Sequence, residues 1–247
     1  MEEVAVTFLG AGDAFCSLGR NQAAYLVQGG GTTALLDCGA TSLAALKRAG
    51  IPSDAIDAIL ISHLHGDHFA GLPFFFLEYV YQEPRRRPLQ IAGPPGIEAR
   101  VWDLFRAMYR DAAAQPLPYP LEFVEMPPEA PLEVGGVRVE PFRVPHTEDD
   151  ISLGLRLQLG ARSLLYSGDT GWTEDLVRRS EGTDLFICEC SFYESRFPFH
   201  LDYPRLAENH ERFNTRRLIL THLGREVLAR PGEVELELAR DGMRIEV

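Results

Sequence analysis

Residues 61–68 read Ile-Ser-His-Leu-His-Gly-Asp-His, and this stretch is the most informative feature of the sequence. His63, His65, Asp67 and His68 place four side chains that can bind a metal within six residues. The apolar residues 58–61 predict a buried strand, so the four side chains follow a strand end. Imidazole and carboxylate groups suit Zn²⁺ and related divalent ions. The stretch therefore predicts a metal site and favours a metallohydrolase.

Strands and helices alternate on both sides of this stretch, which predicts an α/β fold. Apolar and β-branched runs, glycine turns and capping residues predict strands at 4–9, 23–27, 33–36, 132–134, 137–144, 153–159, 163–167, 185–189 and 218–221, and helices at 42–47, 95–110 and 204–213. The proline-rich residues 126–131 separate two parts of similar order. We therefore predict one domain over residues 1–247, with two structurally similar halves at about 1–130 and 131–247.

Composition narrows the cellular setting and the partners. The net charge of −12 disfavours broad binding to nucleic acid, so an anionic substrate has to be attracted locally. The opening Met-Glu-Glu-Val does not resemble a signal peptide, and no apolar run reaches the roughly 20 residues that cross a bilayer. We expect a cytoplasmic protein with no membrane partner. Cys16, Cys38, Cys188 and Cys190 lack CxxC spacing and are predicted to be buried thiols.

Three further metal-capable residues follow predicted strands of the second half. His146 follows the strand at 137–144, Asp169 follows 163–167, and His222 follows 218–221. Loops at the carboxyl ends of strands gather to form the sites of α/β proteins. We therefore expect these three residues to converge on the histidine-rich stretch.

With these residues in view, the chain resembles the metallo-β-lactamase superfamily, whose HxHxDH motif is matched by residues 63–68. The resemblance implies a four-layer αββα sandwich with a binuclear metal site at one edge. It implies one ion held by His63, His65 and His146, a second held by Asp67, His68 and His222, and Asp169 bridging both. Zn²⁺ is the expected metal, with Mn²⁺ and Fe²⁺ as alternatives.

A pair of divalent ions would explain why the chain needs no serine or cysteine nucleophile. Ions about 3.5–4 Å apart share a hydroxide and clamp the attacking and leaving oxygens of a displacement. Asp67 is predicted to act both as a ligand and as a catalytic group. Asp37 ends a predicted strand and is expected to hydrogen-bond a ligand histidine, with a simple turn residue as the alternative.

Within the superfamily the chain resembles ribonuclease Z and related phosphodiesterases. The motifs that carry this resemblance lie at residues 8–12, 19–22, 35–39, 61–73, 93–96 and 189–192. In that group a later histidine stabilises the phosphate and protonates the leaving group. His200 is the match here, although packing between Phe199 and Leu201 is an equal alternative. The span from His146 to Asp169 leaves no room for a tRNA-gripping arm, which favours small phosphodiesters or cyclic nucleotides over large RNA.

Several alternatives stay open at this stage. The same metals would serve a hydrolase of lactones, thioesters or lactams, or a metal-bearing binding or cofactor-biosynthesis protein with little turnover. Arg85, Arg86 and Arg87 are predicted to form a solvated loop, and an anion-binding lip is the less favoured alternative. The aromatic residues 74–76 with Tyr79 and Tyr81 suit core packing, a pocket wall or the face of a homodimer.

Overall fold

Two β-sheets pack face to face in the computed structural model, which describes residues 3–247. The strands are β1 (Ala5–Gly10), β2 (Ala24–Gly29), β3 (Thr32–Leu36), β4 (Ala58–Leu60), β5 (Leu89–Gly93), β6 (Leu121–Glu125), β7 (Leu132–Val134), β8 (Val137–Arg143), β9 (Leu153–Leu159), β10 (Arg162–Tyr166), β11 (Leu185–Glu189), β12 (Leu218–Thr221) and β13 (Met243–Glu246). The α-helices are α1 (Ser42–Arg48), α2 (Gly66–Phe69), α3 (Leu72–Tyr81), α4 (Ile97–Met108), α5 (Arg110–Ala113), α6 (Glu174–Ser180), α7 (Tyr203–Asn209) and α8 (Arg225–Leu228). Short 3₁₀ turns lie at Ser17–Gly19, Ser53–Ala55 and His210–Arg212.

The first sheet has the strand order β13-β1-β2-β3-β4-β5-β6. Strands β13, β1, β2 and β3 pair antiparallel, whereas β3, β4, β5 and β6 pair parallel. Parallel strands need crossover connections, and the segments between them carry α1 to α5. The carboxyl ends of β3 and β4 therefore reach the same edge of the sheet, where the histidine-rich stretch begins.

The second sheet has the order β12-β11-β10-β9-β8-β7. Strands β7 to β10 form an antiparallel meander, and β10, β11 and β12 pair parallel. The parallel part again brings consecutive carboxyl ends to one edge. These are the strands that precede Asp169 and His222 and that end in Glu189.

Three apolar clusters define the layers. One cluster lies between the sheets and joins side chains such as Val6 and Tyr25 to Leu155 and Leu164. A second packs the helices α1, α3 and α4 against the outer face of the first sheet, and a third packs α6, α7 and α8 against the second. Helix, sheet, sheet and helix therefore stack in four layers, which confirms the αββα architecture.

The predicted elements agree well with the observed ones, and the differences have clear physical causes. Helix α4 begins at Ile97 because Gly96 adopts a positive φ of 88°. The sequence did not reveal β13, since its strand character depends on pairing with β1 from the opposite end of the chain. Strand β13, at the end of the second half of the chain, belongs to the first sheet. The division of the chain into two structurally similar halves at about residue 130 stays a prediction. Within residues 3–247, no helix combines the length and apolar character that crossing a membrane requires.

The predictions for Arg85 and Cys16 need correction, whereas Arg86 and Arg87 are exposed and Cys38, Cys188 and Cys190 are buried as expected. Arg85 is fully buried, not solvated, because its guanidinium donates to backbone carbonyls at 87 and 88 and pairs with Asp54 while lying over Tyr79. Arg87 pairs with Asp57, so the two arginines connect the loop before β5 to the segment before β4. Within the described residues all four cysteines are free, and Cys16 is half-buried where a buried thiol was expected. The aromatic residues Phe75, Phe76 and Tyr79 pack in the core, whereas Tyr81 is 61% exposed.

Candidate metal centre

Strand ends deliver the predicted site residues to one place between the two sheets. His63 lies three residues beyond β4, and α2 carries Asp67 and His68. The loops after β8 and β10 carry His146 and Asp169, and His222 follows directly after β12. The structure brings all seven predicted ligands together: His63, His65, Asp67, His68, His146, Asp169 and His222.

These side chains form two neighbouring groups. His63, His65 and His146 make one group, and Asp67, His68, Asp169 and His222 make the other, with the ligand atoms of each group within 4.8 Å of one another. Asp169 lies between them. Its Oδ2 is 3.3 Å from Nε2 of His68 and of His222, and 3.9 Å from Nε2 of His63 and of His146. One carboxylate thus faces both groups.

The backbone around Asp169 depends on two glycines. Gly168 has a positive φ of 58°, and a Cβ there would lie 2.5 Å from the carbonyl oxygen of Leu153. A Cβ on Gly171 would lie 1.8 Å from the carbonyl oxygen of Pro198. Glycine therefore allows the Asp169 loop to approach both β9 and the loop that carries His200.

Asp37 and His222 adopt strained backbone conformations within the site. Their φ values are 55° and 52°, in the left-handed region that few residues other than glycine occupy. Such conformations cost on the order of 1–3 kcal/mol and persist where the surrounding structure imposes them. Both residues follow parallel strands directly, so the strain accompanies the turn of the side chain into the site.

Hydrogen bonds fix the orientation of the metal-capable histidines. Ser62 Oγ donates to Asp37 Oδ2 at 2.8 Å, so it accepts from His63 Nδ1 at 3.0 Å. His68 Nδ1 donates to Asp37 Oδ2 at 2.7 Å, and the Tyr166 hydroxyl donates to the same oxygen at 2.6 Å. The interpretation of Asp37 as a hydrogen-bond partner of a ligand histidine agrees with this geometry. Each imidazole then directs Nε2 towards the centre.

The second sheet supplies equivalent partners. His146 Nδ1 donates to the carbonyl oxygen of Phe199 at 2.9 Å. Ser191 Oγ donates to Glu189 Oε2 at 2.7 Å and accepts from His222 Nδ1 at 2.9 Å. His146 and His222 therefore also direct Nε2 towards the centre, where His146 Nε2 lies 3.0 Å from His65 Nδ1 and His222 Nε2 lies 3.3 Å from Asp169 Oδ2.

A divalent cation fits this donor set. Within residues 3–247, His63 Nε2, His68 Nε2 and Asp169 Oδ1 are buried without a hydrogen-bond partner. Buried polar atoms without partners are costly, and these three belong to side chains that lie beside one another in the centre. Several inward lone pairs and two carboxylates form the nitrogen and oxygen set that zinc prefers.

The pKa values of the histidines are also consistent with a cation site. Burial lowers the pKa of His63 well below its ordinary value, which favours the neutral imidazole. Burial would also lower the pKa of His222, but the carboxylates of Asp169 and Asp67 raise it to about 9. The same two carboxylates and Asp37 outweigh burial at His68 and raise its pKa well above the ordinary value. The carboxylate-bearing group thus attracts protons that a metal ion would replace.

His200 joins the centre from the loop before α7. Its Nδ1 lies 3.0 Å from Glu189 Oε1 and 4.0 Å from Asp169 Oδ2. Its ring stacks on that of His222, with centroids 5.8 Å apart and planes 11° from parallel. Glu189 is buried and also accepts from the backbone N–H of Thr170 at 2.6 Å. His200 is therefore oriented by a buried carboxylate, and apolar packing alone does not describe it. His210, by contrast, donates to the carbonyl oxygen of Ala207.

Two cavities open onto the centre. One, of about 480 Å³, is lined by Phe15, Phe192 and Arg225 together with Asp67, Asp169 and His222. The other, of about 410 Å³, is lined by His146, Phe197 and the acidic residues 148–150. His65 and His200 border both cavities.

Sequence reasoning missed Phe15 and Arg225. Phe15 lies in an irregular loop after β1, and Arg225 begins a helix of four residues, so hydrophobic periodicity gave no signal for either. The available signal was position, since both lie close in sequence to motifs that were recognised: residues 8–12 and His222.

Comparisons with known proteins agree with this geometry. Residues 4–240 match the protein family described as anti-Pycsar protein Apyc1. A ribonuclease Z from Mycobacterium sp. strain KMS is 31% identical over 89% of this chain and 84% of its own length. The crystal structure of the short form of human tRNase Z, ELAC1, is 25% identical, covers 98% of both chains and has a TM-score of 0.77. The metallo-β-lactamase fold protein YhfI from Bacillus subtilis is 23% identical, covers 99% of this chain and 100% of its own, and has a TM-score of 0.78.

Proposed function

The chain belongs to the anti-Pycsar protein Apyc1 family and has the fold of the metallo-β-lactamase hydrolases, and from this premise we propose that it is a metal-dependent phosphodiesterase. Its proposed substrates are small phosphodiesters or cyclic nucleotides. The observation that carries the proposal is the pair formed by His200 and the buried Glu189, beside the two groups of metal-capable residues.

The proposed ligand assignment keeps the two groups distinct. His63, His65 and His146 would hold one divalent ion, Asp67, His68 and His222 a second, and Asp169 would contact both. When bound, such ions supply an ionised water nucleophile at neutral pH and polarise a phosphoryl oxygen. Zn²⁺ is proposed first because the set is rich in imidazole.

His200 is proposed to serve the leaving group. Glu189 occupies Nδ1, so Nε2 is the nitrogen available to a substrate in the cavity. An imidazolium in this position can contact a non-bridging phosphoryl oxygen and donate its proton to the departing alkoxide. Glu189 keeps the ring in the tautomer and orientation that this transfer needs. Such a group is most valuable when the leaving alkoxide is a poor leaving group.

The surroundings support a small anionic substrate. The protein carries a net charge of −12, yet Arg225 brings a positive charge to the wall of the 480 Å³ cavity. Arg225 is exposed, so its guanidinium is available to attract a phosphate. Cavities of about 300–1,000 Å³ suit small ligands. Between His146 and Asp169 the chain forms a connecting loop and the β9–β10 hairpin. This segment contains no arm that could grip a tRNA, which disfavours large RNA as the substrate.

The test compares substrates whose leaving groups differ. His200→Ala in the metal-loaded protein is expected to lower kcat for a cyclic mononucleotide by about 100-fold or more, because general acid catalysis typically contributes about 10²–10⁴-fold. The loss should be much smaller for bis(4-nitrophenyl) phosphate, whose leaving group departs without protonation. Turnover is measured beside metal content, with His210→Ala as the matched control.

The outcomes separate the alternatives. Equal losses on both substrates would refute the role of His200 in proton donation. Metal-loaded wild-type protein that hydrolyses a lactone or thioester but neither phosphodiester would overturn the proposed function in favour of a carboxyl-type hydrolase. Protein that binds metal and hydrolyses none of these substrates would point to a metal-bearing protein with little turnover.

A further inference from the structure

Phe15 exposes a large apolar side chain beside the candidate metal centre. The side chain is 86% exposed, and it lines the 480 Å³ cavity into which Asp67, Asp169 and His222 project. Exposing an aromatic ring in this way forgoes the stabilisation that its burial would bring. A substituent on a phosphate bound at the centre would enter this cavity and meet the ring.

The loop that displays Phe15 is firmly held. Asp13 is buried, and its Oδ1 accepts from the backbone N–H of Phe15 at 3.2 Å and of Ser17 at 2.9 Å. Its Oδ2 accepts from Ser17 Oγ at 2.7 Å. Cys16 and Leu18 both adopt positive φ values, 51° and 50°. Hydrogen bonds therefore hold the loop in a strained backbone conformation that keeps the Phe15 ring exposed to solvent.

The charge of the two cavities decides which one accepts the substituent of an anionic substrate. The 410 Å³ cavity beyond His65 is lined by Glu148, Asp149 and Asp150. These carboxylates repel negative charge, and among the described residues no arginine or lysine lines that cavity. The 480 Å³ cavity is also lined by Asp13 and Glu226, but both carboxylates accept hydrogen bonds from backbone N–H groups, and Arg225 adds a positive charge there. The Phe15 side is therefore the more favourable side for the substituent of an anionic phosphodiester.

We propose that the cavity behind Phe15 binds a planar aromatic substituent of the phosphodiester, a nucleobase, by stacking on the Phe15 ring. The proposal rests on the proposed function and narrows it to nucleotide substrates. Stacking of a base on an aromatic side chain suits any base because every base has a π-face. Phe15 would thus determine affinity for the nucleobase without taking part in bond cleavage.

The experiment compares a cyclic mononucleotide with the corresponding cyclic ribose phosphate that lacks the base, using metal-loaded protein. Phe15→Ala is expected to raise KM for the nucleotide by about 10-fold, with kcat changed by less than about 2-fold, and to leave both constants unchanged for the baseless substrate. Phe15→Trp should restore the low KM. Phe197→Ala is the matched control, because Phe197 is 50% exposed and lines the acidic cavity instead.

Binding measurements separate this proposal from the proposed function. Calorimetry with a nucleoside monophosphate and with ribose phosphate should give a preference for the nucleotide that Phe15→Ala removes, and this holds even if the protein hydrolyses neither substrate. Equal wild-type affinity for the two ligands would overturn the proposal while leaving phosphodiester hydrolysis intact. A Phe15→Ala variant that loses both ligands or both activities equally would also overturn it, since the loop would then serve folding or assembly.

Discussion

The floor and the rim of the candidate site are built in opposite ways. The floor consists of the seven proposed ligands with Asp37, Tyr166 and Glu189. Apart from the exposed His65 it is largely buried, and hydrogen bonds orient most of its polar side chains. The rim consists of residues 13–18, 192–199 and 225–226, where Phe15, Leu18 and Phe197 are exposed. Carboxylates of Asp13 and Glu226 hold its loops through backbone N–H groups.

This contrast separates chemistry from selectivity. A buried network of histidines and carboxylates has one satisfactory arrangement, so it suits a reaction whose geometry must not change. A rim of short loops tolerates different side chains and so adapts to different substrates. Substitutions in the floor should therefore affect turnover and metal content, whereas substitutions in the rim should affect KM and local stability.

The largest effect is expected at Asp169, which faces both groups of the floor. Asp169→Asn keeps the shape of the side chain but removes the charge between the two groups. We expect turnover to fall by about 1,000-fold or more, since losing several kcal/mol of transition-state stabilisation costs at least that factor. Elemental analysis should show less bound metal. Asp103→Asn, 71% exposed on α4, is the control. A variant with normal metal content and turnover would show that Asp169 is not a ligand.

A smaller effect is expected at Asp37, beneath the proposed ligands. Asp37 Oδ2 accepts from His68 Nδ1, from Ser62 Oγ and from Tyr166. Asp37→Asn tolerates the positive φ of 55° but replaces an acceptor with a donor at one position. We expect metal affinity to fall by about 10–100-fold, as for other partners of ligand histidines. Competition with a chelator measures it.

Tyr166→Phe gives the matched comparison for Asp37→Asn. It removes one hydrogen bond to Asp37 and leaves His68 and Ser62 in place. Its effect on metal affinity should be clearly smaller. If Asp37→Asn and Tyr166→Phe both left metal affinity unchanged, the buried network would serve folding alone, and the distinction between floor and rim would weaken.

The floor was predictable from sequence and most of the rim was not. His146, Asp169 and His222 could be predicted because each follows a strand, and the ends of parallel strands meet at one edge. Phe15 and Arg225 could not, because irregular loops carry no periodic pattern. Arg85 was misjudged since arginine is rarely fully buried, and only the carbonyls it meets in the folded chain explain its position.

The smallest effect is expected at Glu226, which anchors the rim. Its Oε2 accepts from the backbone N–H groups of Tyr193, Glu194 and Ser195, and its Oε1 accepts from Ser195 Oγ. Those hydrogen bonds, the side-chain one first, lower the pKa of Glu226 to about 2 from the ordinary 4.5. A carboxylate whose pKa is lower in the folded state stabilises that state above the unfolded pKa and loses this contribution as the pH falls.

We therefore expect the melting temperature of Glu226→Gln to lie below that of the wild type by the same amount from pH 7 to about pH 5, and the difference to shrink between pH 4.5 and pH 2. Solvent screens a partly exposed carboxylate, so about 1 kcal/mol or less is at stake, which is about 2–4 °C or less. Calorimetry measures both melting temperatures at each pH, and their difference excludes the effects of acid that the two proteins share. Glu208→Gln on α7 is the control. A difference that persists unchanged at pH 2 would show that the anchor does not depend on the charge of Glu226. The loop from Tyr193 to Ser195 would then be held mainly by its packing.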